Sequence, residues 1–260
     1  PRLENIARCL KEEGLNCLAI GWDREGRYPA TDKKNFDIIR MRYRGQYGGG
    51  LRNLYGLFRW NLGLVFLHLK LRPKIIHAYD LDTIIPALIA RVFTKCKVVY
   101  DIADWYADSR KVGRLKSLLD KAERWACRKA DLVILAHEKR LQQVGFIPRK
   151  WLVIYNTPED IYKRSQLVEE KPADNDYFAY VGVLHPDRGL PQIVEATSAL
   201  GAKLILAGFG PLEAYCRKAA DTMPSIRFLG QIPYERTLVI EANATAIVAL
   251  YDPKLLNNQL

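Results

Sequence analysis

Two glycine turns, each set behind a short apolar run, carry the clearest chemical signal in this 260-residue sequence. The first follows residues 177–181 and reads Gly182-Val183-Leu184-His185-Pro186-Asp187-Arg188-Gly189. The second follows residues 203–207 and reads Gly208-Phe209-Gly210-Pro211. Both runs are continuous and β-rich, as strands buried on both faces of a parallel sheet are. A helical pattern follows each turn, so the glycines fall where a strand ends and a helix begins. Glycine lets backbone come close there, and a helix N-terminus offers free N–H groups to an anion. Gly182, Gly189, Gly208 and Gly210 therefore read as turn residues and as points of ligand approach at once. Arg188 adds a fixed positive charge. His185 is either a phosphate contact or an ordinary loop histidine. Together they point to a phosphate-bearing ligand, a nucleotide first of all.

The first half carries carboxylates at similar places. His77, Asp80 and Asp82 sit in and just after the apolar run at 75–78, and Asp101 and Asp104 close the run at 97–102. Open α/β sheets place their ligands beyond the ends of strands. Asp101 and Asp104, three apart, are expected to face one cleft. His77 is a satisfied core histidine or a ligand. Asp82 is placed to bind or to cap the helix that begins nearby, with the cap preferred.

Strands and helices alternate along the chain to position these groups. Helices are expected over 3–13, 51–71, 81–93 and 115–129, with strands over 16–21, 75–78, 97–102, 132–136 and 151–155. The first helix has Leu3, Ile6, Ala7 and Leu10 on one face. That of 115–129 has Leu118, Leu119, Ala122, Trp125 and Ala126. The helix at 51–71 is amphipathic, and its apolar stripe is read as core in preference to a membrane-lying face. Residues 42–53 form an Arg-, Tyr- and Gly-rich loop, and the charged stretch 159–175 reads as a linker. A second alternation follows: strands at 177–182, 203–207, 226–229 and 245–250, helices at 190–199, 211–221 and 234–242. The result is an α/β chain of two domains, 1–158 and 176–260. The sequence opens inside a helix that feeds a strand, so the first strand of the first domain is expected to be missing.

The net charge is +11 and is unevenly placed. Residues 1–150 carry 30 Lys and Arg against 16 Asp and Glu, while residues 151–260 carry 10 against 13. The basic half suits an anionic membrane surface or a phosphorylated substrate, or it is simply a solvated face. Nucleic acid is disfavoured, because the charge is spread without a recognised nucleic-acid motif. No stretch is long and apolar enough to span a bilayer. The five cysteines are scattered without metal-ligand spacing and read as free thiols of a reducing cytosol.

Several segments resemble the family 4 (group 1) glycosyltransferases of the GT-B fold. Gly182-Val183-Leu184 with Arg188-Gly189-Leu190, the turn Gly208-Phe209-Gly210-Pro211, and Phe228-Leu229-Gly230-Gln231-Ile232-Pro233 match its second domain. His77-Ala78-Tyr79-Asp80-Leu81-Asp82-Thr83 and Val99-Tyr100-Asp101-Ile102-Ala103-Asp104-Trp105-Tyr106 match its first. The resemblance implies two Rossmann-like domains, with the first domain on the acceptor side and the second binding the nucleotide sugar. It implies transfer of a sugar, with retention, from a UDP- or GDP-type donor to a glycan or lipid-linked acceptor in cell-surface glycan synthesis. The enzyme would be cytoplasmic or peripheral on the inner face of the membrane. Gly182, His185, Arg188, Gly189, Gly208 and Gly210 would bind the donor, Asp80 and Asp82 the acceptor, and Asp104, Asp101 and His77 would be catalytic. No metal or other cofactor is implied, since basic side chains and helix N-termini take up the diphosphate charge.

The sequence departs from the family pattern in three places. Val183 stands where many members have a basic residue. Ala103 and Asp104 stand where the family has His and Glu. The family's paired glutamates are expected beyond Leu260, so the segment is expected to be inactive by itself. Two other readings remain: a degenerate GT-B-like binding protein, and a nucleotide-sugar epimerase of the same fold.

Overall fold

The computed structural model describes residues 2–24, 26, 28–33, 36–45, 53–109, 113–157 and 176–252. They fall into two compact units, one within Pro1–Pro158 and the other within Glu159–Gln259. The expected linker 159–175, the Gly-rich part of the loop at 46–52 and the segment after 252 lie outside the described residues.

The first unit opens with α1 (Arg2–Glu12), β1 (Leu18–Trp22), β2 (Thr31–Lys33) and β3 (Asp37–Met41). The three strands form a sheet of order β1-β3-β2, with β3 parallel to β1 and antiparallel to β2. Neither β2 nor β3 was expected from the sequence, because one is short and polar and the other half-exposed. In α1 the buried residues are Arg2 and Ala7, and Leu3 turns outward against expectation.

The rest of the unit runs α2 (Leu54–Leu71), β4 (Ile75–Tyr79), α3 (Leu81–Thr94), β5 (Lys97–Ile102), α4 (Tyr106–Ser109), α5 (Lys116–Lys129), β6 (Leu132–Leu135), α6 (Arg140–Val144) and β7 (Trp151–Val153). Strands β4, β5, β6 and β7 lie side by side in that order, all parallel. Val98, Tyr100, Ile102, Val133 and Leu135 pack with Ile84 and Ala87 of α3 and Ala126 of α5. Cover from helices explains why these strands read as unbroken apolar runs.

Two helices correct the expected faces. In α2 the buried stripe is Gly56, Trp60, Leu64 and His68, while Tyr55, Phe58, Leu62 and Phe66 stay exposed. Its apolar residues are therefore not all core. In α5 Leu118 and Trp125 are exposed, and Glu123 is buried beside Ala126 and Cys127. Glu123 Oε1 accepts the Tyr106 N–H (3.0 Å) and the Tyr100 hydroxyl (3.5 Å), which satisfies one oxygen of a carboxyl the helical pattern would have left in water. Burial pushes its pKa up to about 7; the backbone hydrogen bonds oppose the rise and the charge of Asp80 adds to it.

The second unit runs β8 (Tyr177–Val183), α7 (Leu190–Ala199), β9 (Lys203–Phe209), α8 (Glu213–Thr222), β10 (Ile226–Phe228), α9 (Tyr234–Asn243) and β11 (Ala246–Ile247). Its sheet has the order β10-β9-β8-β11, again all parallel. Leu184, Leu190, Ile193, Leu204, Leu206 and Cys216 fill its core. The strand expected over 245–250 pairs over two residues only. The five cysteines carry free thiols, and no helix among the described residues is long and apolar enough to cross a membrane.

Candidate functional site

In the second unit the two glycine turns lie side by side, because Gly182 and Gly208 are cross-strand partners of β8 and β9. A Cβ on Gly208 would stand 1.8 Å from the Gly182 carbonyl oxygen, so the strands themselves demand glycine there. A Cβ on Gly210 would stand 2.6 Å from the Leu184 carbonyl oxygen. The turns are also stitched together: the Leu184 N–H donates to Phe209 O (2.9 Å), and the Leu212 N–H to Leu184 O (2.9 Å). At the start of α8 the Leu212 and Glu213 N–H groups are thus already engaged, the latter by Gly210 O (3.1 Å). The Glu213 carboxylate stands in the same turn. An anion there would meet the Glu213 charge and find only the Ala214 and Tyr215 N–H groups left by helical geometry.

The start of α7 differs. Gly189 caps it at φ 56, a value that glycine reaches freely. Its first turn contains no acid, and helical geometry leaves the N–H groups of Leu190 and Gln192 without an intrahelical acceptor. Arg188 stands just outside. Its guanidinium lies 4.3 Å from the Tyr251 ring centroid and its Nε 3.7 Å from Asp187 Oδ1, which holds a half-buried cation in place. His185 Nδ1 lies 2.5 Å from the same Asp187 oxygen. The predicted donor residues therefore fall into two groups. His185, Arg188 and Gly189 gather at the α7 start, and Gly182, Gly208 and Gly210 form the seam between strands.

In the first unit the candidates cluster at the C-terminal ends of β4 and β5. Asp101 has no exposed surface. Arg2 of α1 grips it through Nη2 (2.8 Å) and Nε (3.2 Å), and Arg2 Nη1 donates to Ile154 O (2.6 Å) beyond β7. His77 Nε2 lies 3.0 Å from the other carboxylate oxygen. Burial alone would raise the Asp101 pKa, but the hydrogen bonds from His77 and Arg2 and the Arg2 charge outweigh it and hold the group below its ordinary value. An ionised carboxylate only accepts, so His77 donates through Nε2 and its Nδ1 is the nitrogen left for other partners. Asp101 thus orients His77 and anchors α1.

Asp80 occupies the cap position of α3 at φ 59 and ψ 177, a region that non-glycine residues rarely enter. Its side chain does not cap the helix. Instead Asp80 Oδ1 accepts the N–H groups of Ala103 (3.1 Å) and Asp104 (3.5 Å) after β5, and its own N–H donates to Asp101 O (2.9 Å). Burial pushes its pKa up to about 7; those amides oppose the rise, and the Asp104 and Asp82 charges add to it. Asp82, the expected cap, lies inside the first turn of α3. Asp104 is exposed and receives Arg140 Nη2 at 2.9 Å. Asp101 and Asp104 therefore do not share an open face as their spacing suggested: one is buried on Arg2, the other points to solvent beside Arg140.

Arg2, Glu123 and Arg140 escaped the sequence reading. Arg2 opens an amphipathic helix, and Glu123 sits mid-helix, where a charge reads as solvated. Arg140 follows β6, so a scan of every strand end would have reached it.

The family described as "Glycosyl transferase 4-like domain" matches residues 1–157. No curated protein matches the chain in sequence. Among solved structures it resembles sucrose-phosphate synthase from Thermosynechococcus elongatus (TM-score 0.76, 15% identity), covering 96% of this chain and 69% of that one. It also resembles the catalytic domain of starch synthase IV from Arabidopsis thaliana bound to ADP and acarbose (TM-score 0.65, 13% identity), over 94% of this chain and 73% of that one. A trehalose-6-phosphate structure from E. coli bound with UDP-2-fluoro glucose follows (TM-score 0.64, 14% identity; 96% and 74%). These likenesses show the fold, two Rossmann-like domains of the GT-B type. With the family match over its first 157 residues and that fold over nearly all its length, the chain belongs to the glycosyl transferase 4-like family.

Proposed function

We propose that the chain serves a retaining glycosyltransferase of hexosyl type. It binds a UDP- or GDP-sugar at the α7 start and passes the sugar to a glycan or lipid-linked acceptor, in polysaccharide or glycolipid synthesis. The observation that carries this reading is Arg188, fixed by Tyr251 and Asp187 beside a helix whose first turn contains no acid. Solved structures of the same fold hold UDP and UDP-glucose. In the transfer the bond from the sugar C1 to the phosphate oxygen breaks and a bond from C1 to the acceptor oxygen forms. The acceptor proton passes to the departing phosphate oxygen, so a retaining front-face reaction requires no separate base. Arg188 and the α7 N–H groups stabilise the charge that grows on the diphosphate. Asp80 and Asp104, with His77 held by Asp101, are proposed to orient acceptor hydroxyls.

Calorimetric titration of UDP and GDP tests the donor site. One nucleotide is expected to bind saturably, and Arg188→Ala to weaken it by about 1–3 kcal/mol, as loss of a charge-assisted contact does. Binding that ignores the substitution removes Arg188 from the site.

A further inference from the structure

Strands β4, β5, β6 and β7 all begin on one edge of their sheet and end on the other, where Asp80 and Asp104 lie. The starting edge has a composition of its own. Each strand is approached through a pair of exposed cations: Arg72 and Lys74, Lys95 and Lys97, Arg128 and Lys129, Arg149 and Lys150. The approaches are neighbours, since the Lys97 N–H donates to Lys74 O (2.9 Å) and the Val133 N–H to Lys150 O (3.0 Å). Large apolar side chains stand out among the cations: Ile75 (60% exposed), Val92 (74%), Phe93 (69%) and Ile147 (77%). The one carboxylate in these approaches, Asp131, is engaged by Lys97 (3.1 Å) and Arg91 (3.5 Å).

We propose that this edge docks the first unit on an anionic lipid bilayer. The cations meet lipid phosphates, and the apolar side chains enter the headgroup boundary, where such groups partition. A nucleic-acid backbone would satisfy the cations but leave Val92, Phe93 and Ile147 in water. A second copy of this edge would set like charges against each other. Asp80 and Asp104 lie at the opposite ends of the strands, away from the docking edge. Docking of this kind is independent of the donor-site reading.

Vesicle flotation of the whole chain tests it, with phosphatidylcholine vesicles prepared with and without phosphatidylglycerol. Binding is expected only with phosphatidylglycerol and is expected to fall as salt screens it. Each Lys or Arg held near an anionic surface adds about fivefold, so the pair Arg149→Glu and Lys150→Glu is expected to weaken partition at least tenfold. The uncharged pair Val92→Ser and Phe93→Ser is expected to weaken it too, with circular dichroism unchanged in both variants. Absence of binding to anionic vesicles, binding by either double variant as tight as that of the unaltered chain, or capture of an RNA oligonucleotide in place of vesicles would overturn the proposal.

Discussion

Gly208→Ala is expected to cost the second unit a large part of its stability. The added Cβ would stand 1.8 Å from the Gly182 carbonyl oxygen and 2.9 Å from its carbon, both backbone atoms that cannot swing aside. The residue also sits at φ 144, and its N–H donates to Gly230 O (2.8 Å), so moving it breaks a further hydrogen bond. Overpacking against backbone costs about 1–3 kcal/mol and a strained dihedral as much again, so a loss of about 4 kcal/mol is expected. That is a large part of the stability of an ordinary domain. Gly201→Ala is the matched control: it too has a positive φ (62), but nothing lies within 4 Å of its Cβ. It is expected to cost about 1–2 kcal/mol. Urea unfolding of both variants separates clash from dihedral strain. Equal losses would mean that the seam between β8 and β9 can open without cost.

The second large effect is expected at Asp101. Asp101→Asn leaves the Arg2 guanidinium, itself 6% exposed, without its counter-charge. Breaking one side of a buried ion pair costs about 3–5 kcal/mol. Asp101 titrates below its ordinary value of 3.8 in the folded protein. Its stabilisation is therefore full above that ordinary value and is lost as pH falls through the folded pKa. The gap between wild type and variant should be widest near neutrality and close in acid. Replacing Arg2 by Met in the same chain should recover part of the loss, giving a coupling energy above about 1 kcal/mol in the double-mutant cycle. A loss below about 1 kcal/mol, or a gap that persists in acid, would show that the pair does not hold α1 to β5.

The parallel strands were legible because burial on both faces writes them as unbroken apolar runs, as at 97–102 and 203–207. Strands β2 and β3 were not, since three polar residues and a half-exposed segment leave no such run. The glycine turns stood out by residue type, but type does not say what the glycine is for. Gly208 is required by a neighbouring strand, which only the pairing register reveals. Asp101 was visible as a carboxylate at a strand end. Its partner Arg2 lies 99 residues away, and that distance hid its burial and its hold on His77. Asp80 was picked for its place after β4, and nothing local announced its left-handed backbone or its grip on the amides after β5.

If a nucleotide-sugar donor is held by Arg188 and the α7 start, amide hydrogen exchange of the whole chain, followed with and without saturating UDP or GDP, reports it residue by residue. The nucleotide is expected to slow exchange at the amides of Leu190 and Gln192 while those of Leu212 and Glu213 stay unchanged, and Arg188→Ala is expected to shift the half-protecting nucleotide concentration upward by about tenfold or more. Protection centred on α8, or none at α7 under saturation, would contradict it.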